Sequence, residues 1–297
     1  MTTRMHVDEV DVGPDLVRDL IARRFPLWAG LNVRPVASTG TDNAVFRLGE
    51  HLVARLPRIP GAHKNMALDQ RWLPLLAPQL PVAIPEPVGL GEPDLGYPWA
   101  WSVYRWLPGE HPTVLASDGL VPALAEFVTA LRAVDPTDAP PAGRGRPLAG
   151  RDTATRAAIA SLAGQIHTPV VTAAWEHALA APVWEEPPVW VHGDLTPGNL
   201  LTTDGSLSGV IDFGAMGVGD PAIDLLAAWN LLTPDGRAAL RSALDVDDAL
   251  WARGRGWALT VALIALPYYR DTNPALAASS RHVIEQVTID HITSGCR

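Results

Sequence analysis

Two short segments constrain this chain more than any other feature: His192-Gly-Asp-Leu-Thr-Pro-Gly-Asn199 and Ile211-Asp-Phe-Gly214. Asp194 precedes Asn199 by five residues, and a second acid, Asp212, stands thirteen residues beyond Asn199. The apolar runs in front of them, Val189-Trp-Val191 and Ser208-Gly-Val-Ile211, read as short buried strands. Both acids would then sit on loops at strand ends, where a rigid frame can aim them. Such a set suits phosphoryl transfer from a metal-bound triphosphate. Asp194 would orient and deprotonate an attacking hydroxyl, while the Asn199 amide and the Asp212 carboxylate would hold Mg²⁺. Either segment alone would be an ordinary turn after a strand; the joint pattern carries the reading.

The segments HGDLTPGNLL and GVIDFGAMGVGDPAIDLL, together with STGTDNAVFRLGEHLVARLPR and YRWLPGE upstream, resemble the aminoglycoside phosphotransferase family. These small-molecule kinases share the protein-kinase-like fold, and the resemblance runs from about Ser38 to Leu226. It implies an α+β, bilobal architecture. A small antiparallel-sheet lobe over 1–107 would bind nucleotide and carry the hinge. A mostly helical lobe over 108–297 would carry catalysis and the acceptor, with the nucleotide between the two. The implied reaction moves the γ-phosphate of ATP or GTP to a hydroxyl of a small molecule, with Mg²⁺ as cofactor. An aminoglycoside-type or macrolide antibiotic is the first acceptor class, and a choline- or homoserine-like metabolite is the alternative.

The resemblance also assigns residues. The turn containing Ser38, Thr39, Gly40, Thr41 and Asn43 would cover the nucleotide phosphates. Its backbone N–H groups can point at phosphate oxygens, and Gly40 permits close approach. Arg55, in Val53-Ala-Arg55, stands where a kinase places its phosphate-binding lysine. Alternation puts Val53 and Arg55 on one strand face, and a planar guanidinium can bind two phosphate oxygens. The only lysine, Lys64, is a weaker candidate. Asp69 aligns with the acidic partner of that cation, unless it is simply a solvated helix acid. Tyr104 and Trp106 would lie near the nucleotide at the hinge. His192 and Asp224 would be structural, Asp224 bracing the catalytic loop through hydrogen bonds.

Two departures from protein kinases bear on control. Gly193 stands where those enzymes carry the arginine of His-Arg-Asp, and Asp220-Pro221 follows Gly214 within six residues. So short a segment argues against a phosphorylated regulatory loop and for a constitutively active enzyme.

Composition excludes other classes. A net charge of −9 lacks the basic footprint of a nucleic-acid-binding protein. The same charge, with Glu185, Glu186 and Asp271 in the second half, would favour a cationic acceptor if those acids line a pocket and nothing if they only solvate the surface. The single Cys296 cannot form an internal disulfide, which fits a reducing cytoplasm. The polar start of the chain shows no secretory signal, and the apolar run Trp257–Tyr269 is too short to span a bilayer, so it reads as a buried helix. A dinuclear metallophosphoesterase would need several converging His and Asp ligands that the sequence does not offer. A nucleotide-binding pseudokinase would not be expected to keep Asp194, Asn199 and Asp212.

Periodicity places a helix over 14–24, with Leu16, Val17, Leu20 and Ile21 on one face. Strands follow at about 31–37, 44–48 and 51–56, with a Gly49-Glu50 turn between the last two. A helix over 62–76 would bury Leu68, Trp72 and Leu75, and a strand is expected over 99–106. Asp118 is expected to cap a helix running to about 134, and the Pro- and Gly-rich stretch 136–150 reads as a surface loop. Helices are expected near 153–163, 170–180, 222–232, 234–244, 246–264 and 274–292. Strands early and helices late argue for an α+β chain with two lobes.

Overall fold

A computed structural model describes residues 9–36 and 42–294. The fold is α+β and protein-kinase-like, and the chain divides into two compact units. One comprises residues 1–108 with 209–214; the other comprises 109–208 with 215–297.

In the first unit, β1 (Val33–Pro35), β2 (Asn43–Leu48), β3 (Leu52–Pro57), β4 (Pro87–Gly91) and β5 (Trp101–Arg105) form one sheet. Its order is β1-β2-β3-β5-β4, and every pairing is antiparallel. The β2–β3 hairpin keeps a constant register from Asn43↔Pro57 to Leu48↔Leu52. Strand periodicity then separates two faces. Phe46, Leu48, Ala54, Leu56, Trp101 and Val103 turn into a core closed by Val17, Leu20 and Ile21 of helix α1 (Pro14–Arg24). Arg55, between Ala54 and Leu56, belongs to the other face. The short β4, which the sequence reading lacked, begins at a proline and carries a register shift between Pro87 and Gly89. That composition hides a strand from period-two reasoning.

Helix α2 (Lys64–Leu76) buries Met66, Asp69, Trp72, Leu73 and Leu76. Leu75, expected inside, is instead 55% exposed. Helical spacing explains the difference: Met66, Asp69, Leu73 and Leu76 follow the i, i+3, i+4 rule, and Leu75 is out of phase with them. The buried stripe therefore contains an acid that a hydrophobicity pattern would assign to solvent.

The second unit carries α3 (Val121–Ala133), α4 (Asp152–Ser161), α5 (Thr168–Ala180), α6 (Ala227–Leu231), α7 (Pro234–Ala243), α8 (Asp248–Tyr269) and α9 (Pro274–Ser294). It also holds the pair β6 (Val189–Val191) and β9 (Gly217–Gly219), and β7 (Leu200–Thr203) with the start of its hairpin partner β8 (Ser206–Val210), whose last two residues belong to the first unit. β7 was not expected from the sequence. Helix α8 includes the apolar run 257–269 and is buried along most of its length, as a helix apolar on every side must be. No helix among the described residues is long and apolar enough to cross a membrane.

Several polar groups in this interior pair with one another. The hydroxyls of Thr155 and Thr260 meet at 2.5 Å between α4 and α8. Arg255 bonds Asp290 at 3.2 Å and the His177 ring at 3.0 Å. Asp118 does not cap α3. Its carboxylate accepts from the backbone N–H of Thr233, 3.0 Å away, and from the Thr233 hydroxyl, so it serves the start of α7. Its own helix opens with a short 3₁₀ turn, which moves the first α-helical residue beyond its reach.

The most deeply buried ion pair joins α8 to the turn after β9. Arg253 Nε lies 2.7 Å from Asp220, each side chain being 7% exposed. Arg253 also donates to the Pro182 carbonyl at 2.6 Å, and Asp220 accepts from the Ala222 N–H at 3.0 Å. Breaking one half of such a pair strands a buried charge. Asp220→Ala is accordingly expected to destabilise folding by about 3–5 kcal/mol in urea titration. The double replacement Asp220→Leu with Arg253→Met is expected to cost less than this single change. A single variant within about 1 kcal/mol of the parent would show that the pair does not hold the turn.

Candidate functional site

In the second unit, β6 ends at Val191 and releases the chain into the loop carrying Asp194. That loop is gripped from beneath. Asp224, 2% exposed, accepts from the backbone N–H of His192 at 3.0 Å and of Gly193 at 2.8 Å. The bracing expected of Asp224 is thus present. Burial raises the Asp224 pKa, although the nearby His192, the two backbone N–H groups and Arg132 pull the other way. His192 is fully buried, and its Nδ1 accepts from the Asp194 N–H at 3.2 Å, which fits the structural part expected of it.

The Asp194 carboxylate is held on both oxygens. The Asn199 amide donates to Oδ2 at 3.0 Å and to the Asp194 carbonyl at 2.8 Å. Thr196 N–H also donates to that carbonyl at 2.8 Å, which closes the loop into a tight turn. The other oxygen, Oδ1, takes an ion pair from Arg144, a residue that the sequence reading did not single out. Asp194 remains partly open, with 28% of its side chain exposed.

The first unit gathers a second set. Arg55 Nη2 lies 2.5 Å from Asp212 Oδ1, and Nη1 lies 3.7 Å from Asp69. With its amide oriented to satisfy its hydrogen bonds, Asn43 accepts from Arg55 Nε at 3.1 Å and Nη2 at 3.0 Å. Asp69 is 1% exposed and takes a 2.6 Å hydrogen bond from the Tyr104 hydroxyl. Its pKa is raised chiefly by burial, with Arg55 and Tyr104 opposing. Burial also works against the charge of Arg55, but Asp212 and Asp69 outweigh it and raise its pKa. Arg55 is therefore a permanent buried cation. Asp212 has φ +62°, a left-handed conformation that few non-glycine residues adopt and that concentrates at functional sites. Its segment is tied to this unit by the Val210 N–H, which donates to the Ala83 carbonyl at 3.0 Å.

Asn43, Arg55, Asp69, Tyr104 and Asp212 thus form one connected network in the first unit, and Asp194 and Asn199 form another in the second. Trp106 stands apart from the first network: its ring carries the Arg47 guanidinium at 3.9 Å. Ser38, Thr39, Gly40 and Thr41 lie outside the described residues. Lys64 is exposed at the first residue of α2. Glu185 and Glu186 are exposed, and Asp271 is exposed with Arg270 3.6 Å away.

The donor chemistry fits Mg²⁺. Among the described residues, no group of three or more His, Cys, Asp or Glu side chains forms a metal cage. Mg²⁺ in phosphoryl transfer needs no such cage, because one or two protein oxygens plus phosphates and water complete its shell. The side chains of Asn199 and Asp212, one in each unit, each carry a hard oxygen of that kind. The Asn199 NH₂ is committed to Asp194, which leaves its carbonyl oxygen for a cation.

Comparison with known proteins accords with this geometry. No curated protein matches the chain in sequence. Among solved structures, a GDP complex of a mutant aminoglycoside 2′-phosphotransferase-IIIa superposes with a TM-score of 0.76 at 20% identity, covering 95% of this chain and 99% of the other. The GDP and kanamycin complex of APH(2″)-IIia gives a TM-score of 0.70 at 21% identity, covering 92% and 98%. The macrolide 2′-phosphotransferase MphH from Brachybacterium faecium, as apoenzyme, gives 0.60 at 25% identity, covering 91% and 97%. The model of the APH phosphotransferase enzyme family matches residues 33–257. That span exceeds half of the chain and takes in both networks, so the protein is a phosphotransferase enzyme and belongs to the APH family.

Proposed function

We propose that this enzyme transfers the γ-phosphate of ATP or GTP to a hydroxyl of an aminoglycoside-type or macrolide antibiotic in the cytoplasm. The observation that carries the reading is the Asp194 carboxylate, fixed through both oxygens yet partly open to solvent. A general base must be aimed before it is useful, and loop bracing by Asp224 does the aiming. In this reading residues 1–107 bind the nucleotide, with Asn43 and Arg55 toward the phosphates and Tyr104 and Trp106 on the strand and turn that end the lobe. Residues 108–297 supply the base and the acceptor pocket.

Asp194 accepts the proton of the attacking hydroxyl as its oxygen bonds to the γ-phosphorus, the bond from that phosphorus to the β–γ bridging oxygen breaks, and the nucleoside diphosphate leaves. Asn199 holds the carboxylate plane through its N–H group, and its carbonyl oxygen and the Asp212 carboxylate are the groups that would hold Mg²⁺. Bound Mg²⁺ would neutralise the charge that builds on the triphosphate. Arg55, with its charge fixed by Asp212 and Asp69, supplies a planar donor for phosphate oxygens that does not titrate. The net charge of −9 supports a cationic acceptor by long-range attraction, although Glu185 and Glu186 are exposed rather than enclosed.

Incubation with ATP or GTP, Mg²⁺ and a panel of aminoglycosides, macrolides and hydroxylated metabolites, read by mass spectrometry, tests the acceptor class directly. The expected product is one antibiotic class heavier by a phosphate. Phosphate appearing only on choline- or homoserine-like compounds would replace the antibiotic reading. Asp194→Ala should lower turnover by roughly 10²-fold or more while nucleotide affinity survives. Turnover near the parent's would remove Asp194 from the mechanism. Asp212→Asn should weaken the response to Mg²⁺, both in turnover and in calorimetric binding of the Mg²⁺-nucleotide, because a neutral amide is a poorer ligand for a hard dication. Superimposable Mg²⁺ titrations for parent and variant would exclude Asp212 as a principal ligand.

A further inference from the structure

The stretch 136–150, with its prolines and glycines, has the composition of a surface loop, but the structure docks it. Ala142 N–H donates to the Val218 carbonyl at 3.0 Å, and Val218 N–H returns a bond to the Pro140 carbonyl at 2.8 Å. Gly143 N–H donates to Ala215 at 3.2 Å, and the Asp220 N–H donates to Gly145 at 2.8 Å. Residues 140–145 therefore lie along β9 as a further strand-like segment, with Pro141 bridged in parallel to Val218. The facing positions permit nothing larger than glycine. A Cβ on Gly217 would stand 2.5 Å from the Ala142 nitrogen, and one on Gly219 would stand 2.7 Å from the Gly145 oxygen. Backbone approaches that close hold the segment in a single register.

What this docking delivers is Arg144. Its Nη1 reaches the Gly193 carbonyl at 3.2 Å and forms the ion pair with Asp194 Oδ1. Arg144 and Asp194 are fifty residues apart in sequence, and their side chains are 36% and 28% exposed. A pair so open contributes little to stability, on the order of 1 kcal/mol or less. Its geometry has a different consequence. Asn199 bonds Oδ2 and Arg144 bonds Oδ1, so together they restrain rotation of the carboxylate about its Cβ–Cγ bond and its swing away from the loop. Asn199 alone, from the same short loop, would leave that rotation open.

We infer that Arg144 is a positioning residue for phosphoryl transfer: it is the second clamp on Asp194, delivered by the docked segment 140–145. The inference rests on the assignment of Asp194 as the base. Arg144 binds neither nucleotide nor metal in this role, so its loss acts on turnover and not on nucleotide capture. A misaimed base costs roughly 10²-fold in rate for a displacement near 1 Å.

The test compares Arg144→Ala, Arg144→Lys, Asp194→Asn and the double variant Arg144→Ala with Asp194→Asn, in turnover and in melting temperature. Arg144→Ala is expected to lower kcat by roughly 10²-fold with nucleotide KM within about twofold of the parent. Arg144→Lys should recover part of the loss, because it restores charge without the planar fork. Added guanidinium ion should restore turnover to Arg144→Ala in a saturable way, which a merely structural role would not show. In the Asp194→Asn background, Arg144→Ala should have no further effect on turnover. Parental turnover in Arg144→Ala, or an equal fold-loss in both backgrounds, would overturn the inference. If the parent phosphorylates nothing, the functional reading fails and this inference, which rests on it, fails with it; an active parent with parental turnover in Arg144→Ala overturns the inference alone. The melting temperatures establish that each variant is folded.

Discussion

A carboxylate almost without access to water carries the architecture around Asp194. Asp224 spends both oxygens on consecutive backbone N–H groups, those of His192 and Gly193. Burying that charge is costly, and its raised pKa expresses the cost. His192, the two N–H dipoles and Arg132 offset it. Side-chain hydrogen bonds to backbone act on φ and ψ directly, so this one contact sets the direction in which the chain leaves β6. Everything later in the loop inherits that direction, including the turn closed by Thr196 and the reach of Asn199 back to Asp194. A buried acid thus decides how the Asp194 carboxylate, the proposed base, is aimed.

The first unit solves a different problem with the same kind of group. The Arg55 cation must remain charged inside a sheet-and-helix interface. Lysine there would be a point charge on a flexible stem, and burial could neutralise it. Arginine holds its charge at any physiological pH, and its fork lets Asn43, Asp212 and Asp69 approach from separate directions. Asp69 in turn needs Tyr104, whose hydroxyl is fixed by the β5 frame. The network is therefore a product of strand register: Arg55 stands opposite Val45 and Ser102, on the face away from the Ala54 and Leu56 core.

These two sets differ in how far the sequence discloses them. Asp194, Asn199 and Asp212 are legible because their spacing is local and each follows a short apolar strand. Helix α1 is legible over Pro14–Arg24 because proline opens it and its apolar stripe keeps one phase. Asp69 is legible only as an alternative, since nothing local distinguishes a buried helix acid from a solvated one. Arg144 is not legible at all. Its segment has loop composition, and its partner lies fifty residues on, joined through hydrogen bonds to β9 that no periodicity encodes. The signal that could have raised suspicion is weak: an arginine in a glycine-rich stretch, with further glycines at 217 and 219. Strand β4 and the phase of α2 were obscured for related reasons. Proline and glycine mask the strand, and a buried Asp69 disrupts the apolar stripe that would have excluded Leu75.

The two ion pairs of the second unit show how burial separates structural from functional charge. Arg253 and Asp220 are each 7% exposed and share their remaining hydrogen bonds with backbone groups. Removing either leaves a desolvated charge, so that pair is bound to the fold whatever the enzyme does. Arg144 and Asp194 are several times more open, and water can solvate either one if the other is lost. The backbone hydrogen bonds of the docked segment and its two close glycine approaches fix where Arg144 meets Asp194. In the proposed role that placement acts on rate, which responds to fractions of an ångström that folding free energy hardly registers. The segment 140–145 and the pair at Asp220 share one edge of β9, since Asp220 N–H donates to Gly145 while its side chain holds Arg253. The buried pair thereby anchors the strand against which the partly open Arg144–Asp194 pair is aligned.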